Sequence, residues 1–120
     1  MSTAAYATLV GKSLTTDVPN IIDFNTMVEN VTFQILATGT VTAGTVTLQV
    51  SVDGKTWFSP PTAAFTNQSA ATLANPYVLV TNTSALFSLT SLAVRYAQVI
   101  ISANVTGGAT VSAYVSASGA

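Results

Sequence analysis

Residues 1–120 predict an all-β fold, a single-domain antiparallel β-sandwich of about seven to nine short strands. Three observations carry that reading. Apolar and polar side chains alternate with a period of two in segment after segment. Turn-forming dipeptides separate those segments at near-regular spacing, and no segment sustains the apolar stripe of a helix. The alternation makes each strand half buried, as in two packed sheets.

In chain order, Tyr6 to Val10 and Ile21 to Phe24 read as strands, with Pro19 between them. Asp23 to Asn30 has the residues for one helical turn, with Asn25 or Thr26 as cap and Glu29 in the first turns, but nothing apolar to extend it. Val31 to Ile35 places Val31, Phe33 and Ile35 on one face. Thr45 to Val52 points Val46, Leu48, Val50 and Val52 one way and Thr45, Thr47, Gln49 and Ser51 the other. Asp53-Gly54 then predicts a tight hairpin turn, with Thr56-Trp57-Phe58 returning until Pro60-Pro61 ends the ladder.

Ser59 to Pro76 has no period. Two readings stand for it: a crossover between sheets whose Phe65 and Leu73 plug the sandwich end, or a loop that contacts a partner. Tyr77 to Val80 and Leu86 to Leu89 are shorter strands around a Thr81–Ser84 turn. Val94 to Val105 aligns Ala97, Val99, Ile101, Ala103 and Val105 on one face. Gly107-Gly108 predicts a second hairpin, with Val111, Ala113 and Val115 alternating against Ser112, Tyr114 and Ser116 on the way back.

The mass of 12.3 kDa implies roughly 6,100 Å² of accessible surface when folded and about 17,800 Å² unfolded. A self-sufficient core is therefore within reach without Cys, of which there is none. Charge is the unusual quantity: only 6% of residues are Asp, Glu, Lys or Arg, against about 25% in ordinary domains. The cations are Lys12, Lys55 and Arg95; the anions are Asp17, Asp23, Glu29 and Asp53. Three scattered cations are too few to neutralise a run of phosphates or hold anionic lipid, so no nucleic acid and no membrane is expected as a partner. Ser and Thr supply 32 residues, which keep an exterior polar without charge. Charge depletion is also the compositional mark of surface that other subunits cover.

Met1 to Tyr6 has no basic stretch leading an apolar one, so no standard signal peptide is expected, and no run approaches the ~18 apolar residues of a spanning helix. Four glycosylation sequons, at Asn30, Asn67, Asn82 and Asn104, carry little weight in a chain this rich in Asn, Ser and Thr.

The reaction chemistry expected is none. Without His or Cys the chain lacks the usual proton-transfer residue and the preferred ligands of zinc and most transition metals. Asp17, Asp23 and Glu29 match no calcium-loop spacing and read as solvated turn residues. Gly11-Lys12-Ser13 lacks the leading glycine of a phosphate-binding loop, because Tyr6 stands there. No catalytic residue, cofactor or metal is therefore expected. Adjacent residues Trp57 and Phe58 face opposite sides of a strand, so one belongs to the core and the other to solvent or an interface.

Two resemblances rest on these residues. The stretch from Leu48 to Trp57, ending Asp53-Gly54-Lys55-Thr56-Trp57, resembles the strand–turn–Trp element of discoidin-like, galactose-binding-type sandwiches, in which a later Arg-Tyr strand is similar to Val94-Arg95-Tyr96-Ala97-Gln98-Val99-Ile100-Ile101. The same pair of elements, closed by a Gly-rich turn like Thr106 to Tyr114, is similar to small virion proteins of tailed bacteriophages, which share the short length, the missing Cys and the Ala/Thr/Ser-rich composition.

The fold these resemblances imply is a jelly-roll or discoidin-like sandwich. The function they imply is non-enzymatic: a capsid decoration or cement protein that oligomerises, as a trimer, and clamps subunits of the major capsid protein. Arg95 and Asp53 would then be orienting charges. Trp57, Phe58, Phe65, Leu73, Arg95 and Tyr114 are the candidate interface, and the virion, assembled in the host cytoplasm, is the expected location. Two alternatives stand beside it. One is a carbohydrate-binding module of a tail fibre or baseplate, stacking sugars on Trp57 or Tyr114; the other is a tail-tube or head–tail connector subunit. The chain is shorter than discoidin domains and lacks their disulfide, so no binding residues carry over.

Overall fold

A 17-residue strand, β2 (Ile22–Thr38), belongs to both layers of the molecule. The computed structural model describes residues 6–12, 21–67, 69–90 and 93–119. Over its C-terminal half β2 buries Val31, Phe33, Ile35 and Ala37. That half lies between β8 (Thr110–Gly119) on one side and β6 (Ser84–Leu89) on the other. Its first residues pair instead with β7 (Val94–Thr106), Ile22 opposite Ala97 and Asp23 opposite Tyr96.

A bulge precedes the change of partner, which comes at Val28, opposite both Val94 of β7 and Gly119 of β8. Asn25 adopts φ 64°, a left-handed conformation that Asn tolerates better than most residues. Its N–H donates to Asp23 Oδ1 at 2.8 Å. The single helical turn conceivable over Asp23 to Asn30 is thus extended strand with a kink. A bulge bends its strand and raises the local twist, which is how one strand serves two layers.

One layer reads β1 (Tyr6–Lys12), β8, β2, β6, β4 (Phe65–Asn67). The other reads the start of β2, β7, β3 (Ala43–Ser51), β5 (Tyr77–Val78). Every pairing is antiparallel, and the whole is one hydrogen-bonded sheet curled onto itself. The all-β antiparallel expectation holds, with eight strands among the described residues.

Phe33, Ile35 and Phe87 of the first layer share one cluster with Val46, Leu48, Val99 and Ile101 of the second and with Val111, Ala113 and Val115 of β8. Two edge-to-face ring pairs tie peripheral strands to it: Phe33 with Phe65 at 6.1 Å and Tyr77 with Phe87 at 5.4 Å. The accessible surface is 5758 Å², close to that expected from the mass.

Several local expectations need correction. Gly107 and Gly108 do turn the chain with positive φ, 106° and 88°, but β7 and β8 do not pair there. β7 lies beside β3 and β2, β8 beside β1 and β2, so the turn carries the chain from one layer to the other. A Cβ on Gly107 would stand 2.6 Å from the Thr40 carbonyl oxygen, so the close approach of two backbones there excludes any side chain. Asp53-Gly54 is likewise no two-residue turn. Only Gly54 has positive φ, and the returning strand is a single bridge from Phe58 to Val50.

Val52 is 61% exposed because β3 ends at Ser51. Ala103 faces solvent because β7 slips register between Ile101 and Ala103, leaving Ser102 as the extra residue. The Ser59–Pro76 stretch contains a 3₁₀ turn (Thr62–Ala64) and β4. Within it Phe65 is buried and Leu73 packs half-buried against the core. This is the crossover reading of the segment.

Candidate interaction surface

The crossover does more than connect. β3 is the last long strand of its layer, and an open strand edge is a template for unwanted pairing. Residues 58–79 close it piece by piece. Phe58 and Val50 exchange two backbone hydrogen bonds, 2.9 and 3.0 Å. Two residues along, the side-chain amide of Asn75 takes the place of a strand: Leu48 N–H donates to Asn75 Oδ1 (2.9 Å), and Asn75 Nδ2 donates to Leu48 O (3.1 Å) and Pro60 O (2.8 Å). Further on, Tyr77 and Val78 pair with Val46 and Thr45, and Leu79 N–H donates to Gly44 O at 3.0 Å.

The neighbouring edge is closed the same way. β4 covers Phe87, Ser88 and Leu89 of β6, after which Leu86 N–H donates to the Ser69 hydroxyl at 3.1 Å. An Asn amide carries both a donor and an acceptor, as a peptide group does, and that equivalence lets one side chain fill a gap in a ladder.

The closed edge is apolar on its outside. Phe58 is 53% exposed, Val78 60% and Val80 50%. Two grooves flank it. One, of about 360 Å³, is lined by Val50, Val52, Phe58 and Val94 among others. The other, of about 450 Å³, is lined by small and apolar residues including Ala71, Ala74, Tyr77, Val78 and Val80. From Thr56 to Val94 the sequence contains no Asp, Glu, Lys or Arg.

Two of the charges near this surface, Arg95 and Asp53, are engaged with their own neighbourhood. Arg95 forms a two-pronged bond with Asp23, Nε to Oδ1 at 2.9 Å and Nη2 to Oδ2 at 3.1 Å. Its guanidinium also lies 5.2 Å from the Tyr96 ring centre. The hydrogen bond from Arg95, then the Asn25 N–H, hold the Asp23 carboxyl below the usual range. Asp53 ties its own turn: Oδ1 accepts the Thr56 and Lys55 N–H groups, each at 2.8 Å. Buried Ser51 donates its hydroxyl to Thr56 O at 2.7 Å. Arg95 and Asp53, expected as orienting charges, both also make bonds within the chain.

The backbone N–H groups of Thr56 and Lys55, with the Ser51 hydroxyl, lower the Asp53 carboxyl to about 2. Because the folded value lies below the ordinary 3.8, this contribution to stability is complete above that value and is lost as pH falls through about 2. Urea midpoints followed by Trp57 fluorescence are expected to decline across that window. Asp53→Asn should flatten much of the decline, leaving the part due to Asp23.

The six candidate interface residues are not brought together as one site. Phe58 is on the surface, and Trp57, Leu73, Arg95 and Tyr114 are half-buried. Phe65 is withdrawn as an interface residue, since its ring is in the core against Phe33. The sequence reading missed Val52, Val78, Val80 and Asn75. The first three look like ordinary strand positions, and Asn75 sits in an aperiodic stretch. Asp17 lies outside the described residues. Among those described, no group of acidic side chains is placed to hold a metal, and no helix is long and apolar enough to cross a membrane.

Fold and surface together define a small curled antiparallel β-sandwich whose covered edge is mostly apolar, with Asp53 in the wall of one flanking groove. No protein-family model matches the chain, and no curated protein does. Among solved structures the chain is similar to the SPBc2 prophage-derived protein YomS. The TM-score is 0.61 over 97% of this chain and 95% of that one, at 13% sequence identity. At that identity the likeness is one of fold.

Proposed function

We propose that the chain is a non-enzymatic structural subunit of a tailed-phage virion, acting as a capsid decoration or cement protein. The observation that carries this is the correspondence, over nearly the whole of both chains, with the fold of a prophage-derived protein. The surface supports it: residues 56–94 carry no charge and expose Phe58, Val78 and Val80, as an interface core does. Each subunit would stabilise the shell by burying neutral surface against its neighbours. Many weak contacts, repeated by symmetry, add up to firm attachment.

The test is to add purified chain to capsids that lack it and follow genome release on heating. Binding that raises the release temperature is expected. Capsids that neither bind the chain nor gain heat resistance would count against a cement role. Half-buried Trp57 and Tyr114 support a second reading, a carbohydrate-binding module. Trp57 fluorescence titrated with polysaccharides separates the two: a cement protein leaves it unchanged, and a saturable shift favours the module. Rings seen by negative-stain microscopy would favour a tail-tube or connector subunit instead.

A further inference from the structure

The turn after β3 contains the sequence Asp53-Gly54. In a flexible chain an Asp-Gly bond rearranges readily, because glycine has no side chain to shield its nitrogen and little to restrain its backbone. The glycine nitrogen attacks Cγ of the aspartic acid, and the acid's OH leaves with the N–H proton as water. The product is a five-membered succinimide. Water then opens the ring at one of its two carbonyls. Cleavage between nitrogen and Cγ restores aspartate. Cleavage between nitrogen and the main-chain carbonyl carbon leaves isoaspartate, whose chain runs through the former side chain and is one CH2 longer. Mass and net charge are unchanged.

In this turn both reacting groups are held. The Gly54 N–H donates to the Ser51 hydroxyl oxygen at 2.9 Å, so the nitrogen is engaged by a group other than the Asp53 carboxyl. Asp53 Oδ1 accepts the Lys55 and Thr56 N–H groups and lies 3.0 Å from the same hydroxyl. Those bonds keep the carboxyl ionised down to about 2, whereas ring closure consumes the protonated acid. Ser51 is itself 3% exposed and is bonded across the turn to Thr56 O at 2.7 Å. A Cβ on Gly54 would stand 3.2 Å from the Tyr96 ring, so that ring also limits the backbone swing that closure requires.

We infer that Asp53–Gly54 is a latent isoaspartate site, kept closed in the folded chain by the buried Ser51 hydroxyl. Its reaction would undo part of the closed edge. Val50 and Phe58 exchange two backbone hydrogen bonds across this turn, and the extra CH2 falls between them. The carboxylate would also leave the Lys55 and Thr56 amides that it now ties together. This chemistry is independent of the virion role proposed above.

The test follows isoaspartate at residue 53 in the full chain through weeks of warm incubation at mildly acidic pH, read by electron-transfer fragmentation of the proteolytic peptide. The folded wild type is expected to accumulate it at least about tenfold more slowly than the same chain unfolded in guanidinium, the effect that hydrogen bonds to a charged group produce. Ser51→Ala, with circular dichroism confirming the fold, should react several-fold faster than folded wild type. Phe87→Ala controls for stability alone, since it truncates the core on a strand that does not pair with β3. Equal rates in folded and unfolded wild type overturn the inference without recourse to any variant. A Ser51→Ala rate no higher than that of Phe87→Ala overturns the part assigned to the hydroxyl. Hydrogen exchange on the isolated isoaspartyl form should be faster at the Val50 and Phe58 amides than in the parent, and unchanged protection there would overturn the opening of the edge.

Discussion

Phe87→Ala is expected to destabilise the protein by about 3–5 kcal/mol, a large part of the 5–15 kcal/mol typical of a domain. Phe87 is fully buried on β6, opposite Phe33 of β2. Its ring also packs edge-to-face on Tyr77 from the other layer. Truncation therefore leaves a cavity where the two layers meet, and it loosens the short strand β5, which has only two residues. Leu86→Ala, one residue away and half-buried, serves as the control and should cost clearly less. Urea unfolding of both variants checks the contrast. Equal losses would mean that β6 is held by its backbone pairing and not by the core.

Asn75→Ala is expected to cost about 2–4 kcal/mol, large for the loss of one polar side chain. Three hydrogen bonds go with the amide, and the N–H and C=O of Leu48 lose their partner inside a partly buried edge. For a chain of this size that lowers the melting temperature by roughly 10 °C. Asn75→Asp should not rescue it. A carboxylate can still accept from Leu48 N–H, but it has no proton to donate and would face the carbonyl oxygens of Leu48 and Pro60. Hydrogen exchange gives the local readout, with faster exchange at the Leu48 amide than at Val46 or Val99. A loss within about 0.5 kcal/mol, with Leu48 still protected, would show that the ladder gap is closed by something other than Asn75.

The sequence made strands legible and left their neighbours hidden. Alternation along Val46, Leu48 and Val50, or Val111, Ala113 and Val115, records which face a side chain takes. It does not say which strand lies alongside. Gly107-Gly108 therefore reads as a hairpin whether the two strands pair or pass to opposite layers, because both routes need positive φ. The same limit misplaced Val52 and Ala103: the alternation was carried past the end of β3 in one case and through a register slip in the other. Asp53 announced a turn correctly. Its wider form depends on Ser51, a residue that alternation assigns only to a face.

The candidate surface was less legible than the fold. Its low charge was visible from composition. The position of that neutral surface along one edge was not, because it depends on the crossover folding back across both layers. Asn75 had no periodic signal at all. The one available hint is chemical: among side chains, only an amide presents a donor and an acceptor in a peptide's arrangement.

Mass spectrometry of virions purified through a density gradient, from a phage that encodes this chain, tests the structural-subunit role most directly. A virion component should appear intact, at a fixed ratio to the major capsid protein, and stay with the particles through high-salt washing. Abundance in the lysate with none in the washed particles would contradict it.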